Sequence, residues 1–450
     1  MSTAALESIN DVVGAELECA MERYATANPS SRIYFERAGR SMPGGNTRSA
    51  LHFDPFPLYV TSSAGATITD ADGHVYLDAL GEFTAGLYGH NSAVVVEAVQ
   101  RVLSRGFSNG APGEAEIRLA ELMCERFPSV EAIRFCNSGT EATLYSLTLA
   151  KLATGRPGVM VFAGAYHGGT FVFADGGSPM NVPFDWVVAD YNDAESVKAI
   201  FAERGETLAA VIIEPVMSNG GCIPATTEFL RLLRQLCTAH GVQLIFDEIV
   251  TSRMGFGGVQ ALTGVIPDLT TFGKYVGAGF SSGAFGGRRE LMDLMDPTRP
   301  GAMPHAGTFN NNLFSMEAGA AALEAEFPRE RAETLFAQGE ALRGRLNAVL
   351  AAHAIPAQFT GMGSIMNIHF VRRPIRRPDD TIGADRRLLA LLHFDLMEQG
   401  IFIARRGQIN LSLPMSSADL NRLVGAMADF AYRRKSLIEV VPAASARGPQ

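Results

Sequence analysis

IRFCNSGTEATLYSLTLAKLAT, residues 133–154, reads as an apolar strand, a turn of Ser, Gly and Thr, and a helix. The strand is IRFCN (133–137) and the helix EATLYSLTLAKLAT (141–154). Outward from this unit the same rhythm recurs from about residue 60 to 320. Further buried strands are expected at VMVFAG (159–164), AAVIIEP (209–215), VQLIFDE (242–248) and LTTFGK (269–274), each followed by a turn or helix signal. Helices are expected at EAEIRLAELMCERF (114–127) and TEFLRLLRQLCTAHG (227–241). Near-continuous apolar strands separated by helices are what a parallel sheet covered on both faces requires, so the fold class is α/β.

After residue 315 the pattern shifts to long helices, SMEAGAAALEAEF and AETLFAQGEALRGRLNAVLAAHA, then IMNIHFV and the helix LLALLHFDLMEQG. A smaller α+β domain is expected there. A chain of 450 residues exceeds the usual size of one core, which argues for at least two domains. The expected division is 1–60 as an N-terminal helix and joining segment, 61–320 as the large domain and 321–450 as the small one. The turn-rich stretch 30–60 suits packing either on the C-terminal part or across a subunit boundary. The last residues, PAASARGPQ, are expected to fray.

Hydrophobic residues at 47%, charged ones at 19% and a mean hydropathy of +0.09 describe a folded globular chain. A net charge of -9 gives no basic field for nucleic acid. No apolar run approaches the roughly 20 residues of a membrane span. The start, MSTAALESINDVVGAELECAMERYATANP, reads as an amphipathic helix and lacks the layout of a signal peptide. Cys19, Cys124, Cys136, Cys222 and Cys237 are odd in number and scattered, with no zinc spacing. A reduced, cytoplasmic setting is expected.

Lysine occurs only at Lys151, Lys198, Lys274 and Lys435. Lys151 and Lys198 fall on helical patterns and Lys435 in a basic RRK, where solvated amines are ordinary. Lys274 stands at the end of an apolar strand, before the small-residue run YVGAGFSSGAFGG. Burial there depresses an amine's pKa, and a neutral amine is what Schiff-base chemistry with an aldehyde cofactor needs. A lysine snorkelling from a strand end is the plainer alternative. In the CNSGTEAT turn, Ser138, Gly139 and Thr140 open a helix whose free amides suit a phosphate, or else simply cap it. Asp247 ends the strand IFD, where a carboxylate pairs well with a pyridinium nitrogen, or else serves as a cap or a metal ligand, the last disfavoured because no His stands at a suitable local spacing. The neighbouring Glu248 is expected on the opposite face. In GAYHGGT, Tyr166 and His167 occupy a glycine-bounded turn after a strand, and an aromatic ring there suits stacking on a planar cofactor.

NSGTEAT, AYHGGT, IIEPV, FDEIVTSR, DLTTFGKYVGAGFSSGAFGG and HAGTFNNN together resemble the class III aminotransferases of pyridoxal phosphate fold type I. The branch is that of glutamate-1-semialdehyde aminomutase and the aromatic β-amino-acid aminotransferases, and the resemblance spans about residues 30 to 430. It implies a large domain with a mostly parallel seven-stranded sheet plus a smaller α+β domain. It implies Lys274 as the Schiff-base lysine and proton shuttle, and Asp247 as partner of the pyridine nitrogen. Tyr166 would stack on one ring face, Ile249 would cover the other, and His167 and Glu214 would line the cofactor pocket. Ser138, Gly139 and Thr140 would hold the phosphate, completed by Thr308 from a neighbouring subunit of a homodimer.

The implied reaction moves an amino group from a small amino donor to an oxo acid such as 2-oxoglutarate or pyruvate, with pyridoxamine phosphate between the halves. Arg48, in SMPGGNTRSALHF, matches a segment that binds the substrate carboxylate, and Arg406, in IARRGQINLSLP, matches a second such position. FNNN (309–312) and TSR (251–253) look more like the β-amino-acid enzymes than the aminomutases. Phe53 and Phe56 fit either an apolar wall for an aromatic substrate or the core. A β-amino acid, aromatic ones included, is therefore the expected donor, with an aminomutase-like isomerase as the alternative.

Overall fold

In the computed structural model, residues 3–107 and 109–440 are described, with the side chains of 3–11 and 440 left aside. The tail PAASARGPQ lies outside them.

The central sheet has seven strands. Across the sheet they run Ala132–Cys136, Gly283–Gly287, Leu269–Gly273, Gln243–Asp247, Leu208–Ile213, Gly158–Phe162 and Asp185–Ala189. Gly283–Gly287 is antiparallel to both neighbours and the other pairings are parallel. All five strands expected from the sequence are present. Two more were not legible: Asp185–Ala189, a partly exposed edge strand, and GAFGG, whose glycines mask it. The glycines are required by close approach, because a Cβ at Gly283 would sit 2.1 Å from the Ser138 carbonyl oxygen.

The covering helices carry their own stop signals. Thr227–His240 starts at Thr226, whose Oγ1 accepts from the Phe229 amide at 3.1 Å, and ends at Gly241 with φ 65°. Phe229, Leu230, Leu233 and Cys237 form its buried face, at the spacing that an amphipathic helix needs. The apolar strands behind it, such as Ala209–Ile213, are fully buried.

The C-terminal part holds Arg329–Ala352, Arg386–Glu398 and Ser417–Val440 around a three-stranded sheet of Gln358–Met362, Ile365–His369 and Gln408–Asn410. The N-terminal segment packs on this part within one chain. Phe53 and Phe56 are buried with Tyr24, Leu391 and Phe394, so both are core residues. Ile401–Phe402 pairs in parallel with Val75–Asp78, extending the meander of Val60–Ala64 and Thr67–Asp70. No described helix is long and apolar enough to cross a membrane.

Candidate active site

The C-terminal ends of Gln243–Asp247 and Leu269–Gly273 lie side by side, with Asp247 opposite Thr271, and this register sets the site. Asp247 is 3% exposed. Its Oδ1 accepts from the Ile249 amide and from Thr271 Oγ1, both at 3.1 Å. Its Oδ2 accepts from His167 Nδ1 at 2.7 Å. His167 is buried, and its Nε2 has no partner among the described residues. His167 thus acts through Asp247, orienting the carboxylate. Glu248 leaves the strand on the other side, where it accepts from the Val259 and Gln260 amides.

Lys274 follows directly on Leu269–Gly273 and is partly buried, with φ 55° in the left-handed region. A non-glycine residue there carries strain of roughly 1–3 kcal/mol, which persists where the surroundings impose it. Burial pulls its amine down to about 8, against the upward pull of Asp247 and Glu214; Arg406 and Arg48 push it further down. The other lysines have ordinary roles. Lys198 pairs with Glu195 at 2.8 Å, Lys435 lies 3.8 Å from Glu439, and Lys151 sits over the Phe184 ring.

Ser138 caps Gly139–Thr154, its Oγ accepting from the Glu141 amide at 3.2 Å. The capping reading is therefore correct, and it leaves the opening amides of Gly139 and Thr140 without intrahelical carbonyls. A Cβ at Gly139 would lie 2.6 Å from Ile249 Cδ1, so only glycine lets that side chain lean over the turn. Thr140 Oγ1 accepts from the Gly169 amide at 3.2 Å, tying the helix start to the Tyr166 turn. Glu214 in turn holds that turn, accepting from the Tyr166 amide at 3.0 Å and from Ser218. Burial raises its carboxyl above the usual range. Tyr166 is 40% exposed.

Ser138, Gly139 and Lys274 share a cleft of about 510 Å³ with Glu82, Tyr88, His90 and Ser282. Thr308 is exposed and is not among the residues lining this cleft. Its neighbours are tied to the turn that opens Gly139–Thr154, since Asn137 Nδ2 donates to Asn310 Oδ1 at 3.0 Å.

Arg48 and Arg406 converge. Arg48 donates to Glu82 Oε1 at 2.6 Å and lies 5.6 Å from the Phe83 ring centre; Arg406 lies 5.2 Å from the same centre. Arg406 is bonded by neutral groups, Gln408 Oε1 at 3.1 Å and Asn219 Oδ1. Arg405 turns away, its Nη1 lying 3.8 Å from Asp54. Glu82, Phe83, Thr271 and Asn219 were not picked out from the sequence. Thr271 left one trace, a hydroxyl in a buried strand; the other three sit in turns with no periodicity to read.

The donor set fits pyridoxal phosphate: an amine of lowered pKa, a fixed carboxylate and helix-opening amides with a glycine cradle. The class III aminotransferase family model matches residues 49–427. β-Phenylalanine transaminase of Variovorax paradoxus is 46% identical over 91% of this chain and 94% of its own length. The crystal structure of the β-phenylalanine aminotransferase from that organism matches with a TM-score of 0.94 at 44% identity, covering 96% of this chain and 100% of the other. A glutamate-1-semialdehyde 2,1-aminomutase of Desulforapulum autotrophicum is 36% identical over 89% of this chain and 97% of its own. The chain belongs to the class III aminotransferases and is a pyridoxal phosphate-dependent aminotransferase of fold type I.

Proposed function

We propose that the enzyme takes the amino group of an aromatic β-amino acid and delivers it to an oxo acid such as 2-oxoglutarate or pyruvate. The observation that carries this reading is the meeting of Arg48 and Arg406 on Phe83, beside the cleft that contains Lys274. A guanidinium grips a carboxylate through paired hydrogen bonds, and the ring between the two arginines offers an aromatic surface. The sequence likeness to a β-phenylalanine transaminase supports the same donor.

Bound in the cleft, pyridoxal phosphate supplies an electron-accepting ring that spreads the charge left when the substrate carbon loses its proton. Lys274 is the amine that would hold the cofactor's aldehyde. Its free amine would take the proton from the substrate carbon and give it back, as base and then acid. Asp247, fixed by Thr271, Ile249 and His167, would pair with the pyridine nitrogen. Tyr166 and Ile249 would cover the two ring faces, Glu214 braces the Tyr166 turn, and Ser138, Gly139 and Thr140 would hold the phosphate.

The working unit is a homodimer in which the partner subunit's Thr308 completes the phosphate site. Its exposure here, with Phe309 beside it 65% exposed, supports a buried place in an assembly. Residues 61–320 form the cofactor domain, with 1–60 and 321–450 making the smaller unit. Five free cysteines fit the reducing cytoplasm.

The test is to mix holoenzyme with 3-amino-3-phenylpropanoate, with and without 2-oxoglutarate or pyruvate. Conversion of the cofactor to its amine form, and multiple turnover only with an oxo acid, is expected. Turnover without any oxo acid would point to the aminomutase-like isomerase instead.

A further inference from the structure

The residues that meet the two substrate arginines lie on an unusual piece of backbone. Gly81, Glu82, Phe83 and Thr84 have φ of 52°, 52°, 51° and 83°, four consecutive left-handed residues of which three carry side chains. Such a run persists only where its surroundings impose it. Its entry is fixed by Asp78 Oδ1, which accepts from the Leu80 and Gly81 amides at 3.1 and 2.9 Å, and by Asn410 Nδ2, which donates to the Leu80 carbonyl at 2.7 Å. Its exit is held by Arg253, whose Nη1 donates to the Thr84 carbonyl at 2.9 Å.

Arg253 is unusual in its own right. It is 1% exposed, and its guanidinium donates only to neutral oxygens: Thr84 O, Ser364 Oγ at 3.0 Å and Leu411 O. Among the described residues it has no acidic partner. A buried cation without a counter-ion is costly, and a core of the same shape without it would be cheaper to build. What the charge supplies is a rigid fork that joins the strained turn to two segments of the C-terminal part, beside Ile365–His369 and just after Gln408–Asn410. Arg406 stands just before that last strand, so one side chain spans both sources of the Phe83 contact.

We propose that Arg253 is a positioning residue for recognition of the donor carboxylate: it clamps the exit of the Gly81–Thr84 turn and thereby sets Phe83 against Arg48 and Arg406. This rests on the reading of those two arginines as the carboxylate-binding groups. It also gives the TSR of residues 251–253 a function, which the cofactor chemistry leaves unused.

The experiment compares R253K and R253M with wild-type holoenzyme on a matched pair of donors, 3-amino-3-phenylpropanoate and 1-phenylethylamine, which differ by the carboxylate. Single-turnover conversion of the cofactor gives the rates, and calorimetry with 3-phenylpropanoate gives carboxylate affinity without any reaction. R253M is expected to weaken 3-phenylpropanoate binding and the β-amino acid reaction by about tenfold. The 1-phenylethylamine reaction is expected to stay within about twofold, with R253K intermediate. Equal losses for both donors, or no loss for either, would overturn the proposal. Should R253M fail to fold, R253K and S364A, which removes only the Nε partner, are read in the same way. R48M and R406M separate the two ideas. If both leave the donor ratio as in wild type, the carboxylate reading falls and the role of Arg253 with it. If they collapse the ratio while folded Arg253 variants do not, only the role of Arg253 falls.

Discussion

On the proposed reading, Asp247, Thr271 and Lys274, at the ends of adjacent parallel strands, make the cofactor end of the site, and Arg48, Phe83 and Arg406, from three separate turns, make its substrate end. The first group is fixed by sheet hydrogen bonds and burial. The second is held by side chains reaching between segments that are far apart in sequence. On that reading, chemistry common to a class is carried by the scaffold, and selectivity by loops that can change without disturbing it. The two ends should therefore fail differently: damage at strand ends should strike turnover of every donor, and damage at the turns should strike only donors with a carboxylate.

The largest effect is expected for K274A. Loss of the acid–base group should lower turnover about 10³-fold or more and leave bound cofactor unlinked to the protein, by mass spectrometry of the reduced holoenzyme. Near-normal turnover would remove Lys274 from the mechanism. R48M and R406M should be next, reducing kcat/KM for a β-amino acid by about 10- to 100-fold while sparing a carboxylate-free amine. An equal loss for the amine would erase the distinction between the two ends.

A smaller effect sharpens the cofactor end through pH. With its pKa lowered to about 8, the Lys274 amine is mainly charged below that value and mainly neutral above it. Attachment of pyridoxal phosphate to the apoenzyme, followed by absorbance, should accelerate about tenfold from pH 7 to pH 9 and then level off. A rate still climbing steeply towards pH 10.5 would mean that burial does not depress this amine.

The same division explains what could be read in advance. The apolar runs around 209–215 and 242–248 are buried on both faces, so their composition alone announces strands, and Asp247 and Lys274 were conspicuous as polar ends of such runs. Ser138 was visible because cap and phosphate site ask for the same local pattern. His167 was placed at the cofactor, but its partner, Asp247, lies 80 positions away and no local rule reports that contact. GAFGG hid because close approach to Ser138 demands residues with no strand signature. Glu82 and Phe83 hid because left-handed backbone at non-glycine residues is imposed from outside, by Asp78, Asn410 and Arg253.

Glu82 provides the smallest and most pointed test of the substrate end. Its carboxylate occupies Arg48 Nη1 at 2.6 Å, where a substrate carboxylate would have to bind. The two side chains are 45% and 47% exposed, and an exposed pair of this kind is worth roughly 0.2–1 kcal/mol, so displacing it costs no more than that. Removing the charge with E82Q should therefore lower KM for a β-amino acid by about threefold, with kcat and the KM of a carboxylate-free amine unchanged. A fall in KM for both donors would mean that Glu82 acts on the cleft as a whole. An increase in KM for the β-amino acid alone would mean that Glu82 orients Arg48 for the substrate and does not compete with it.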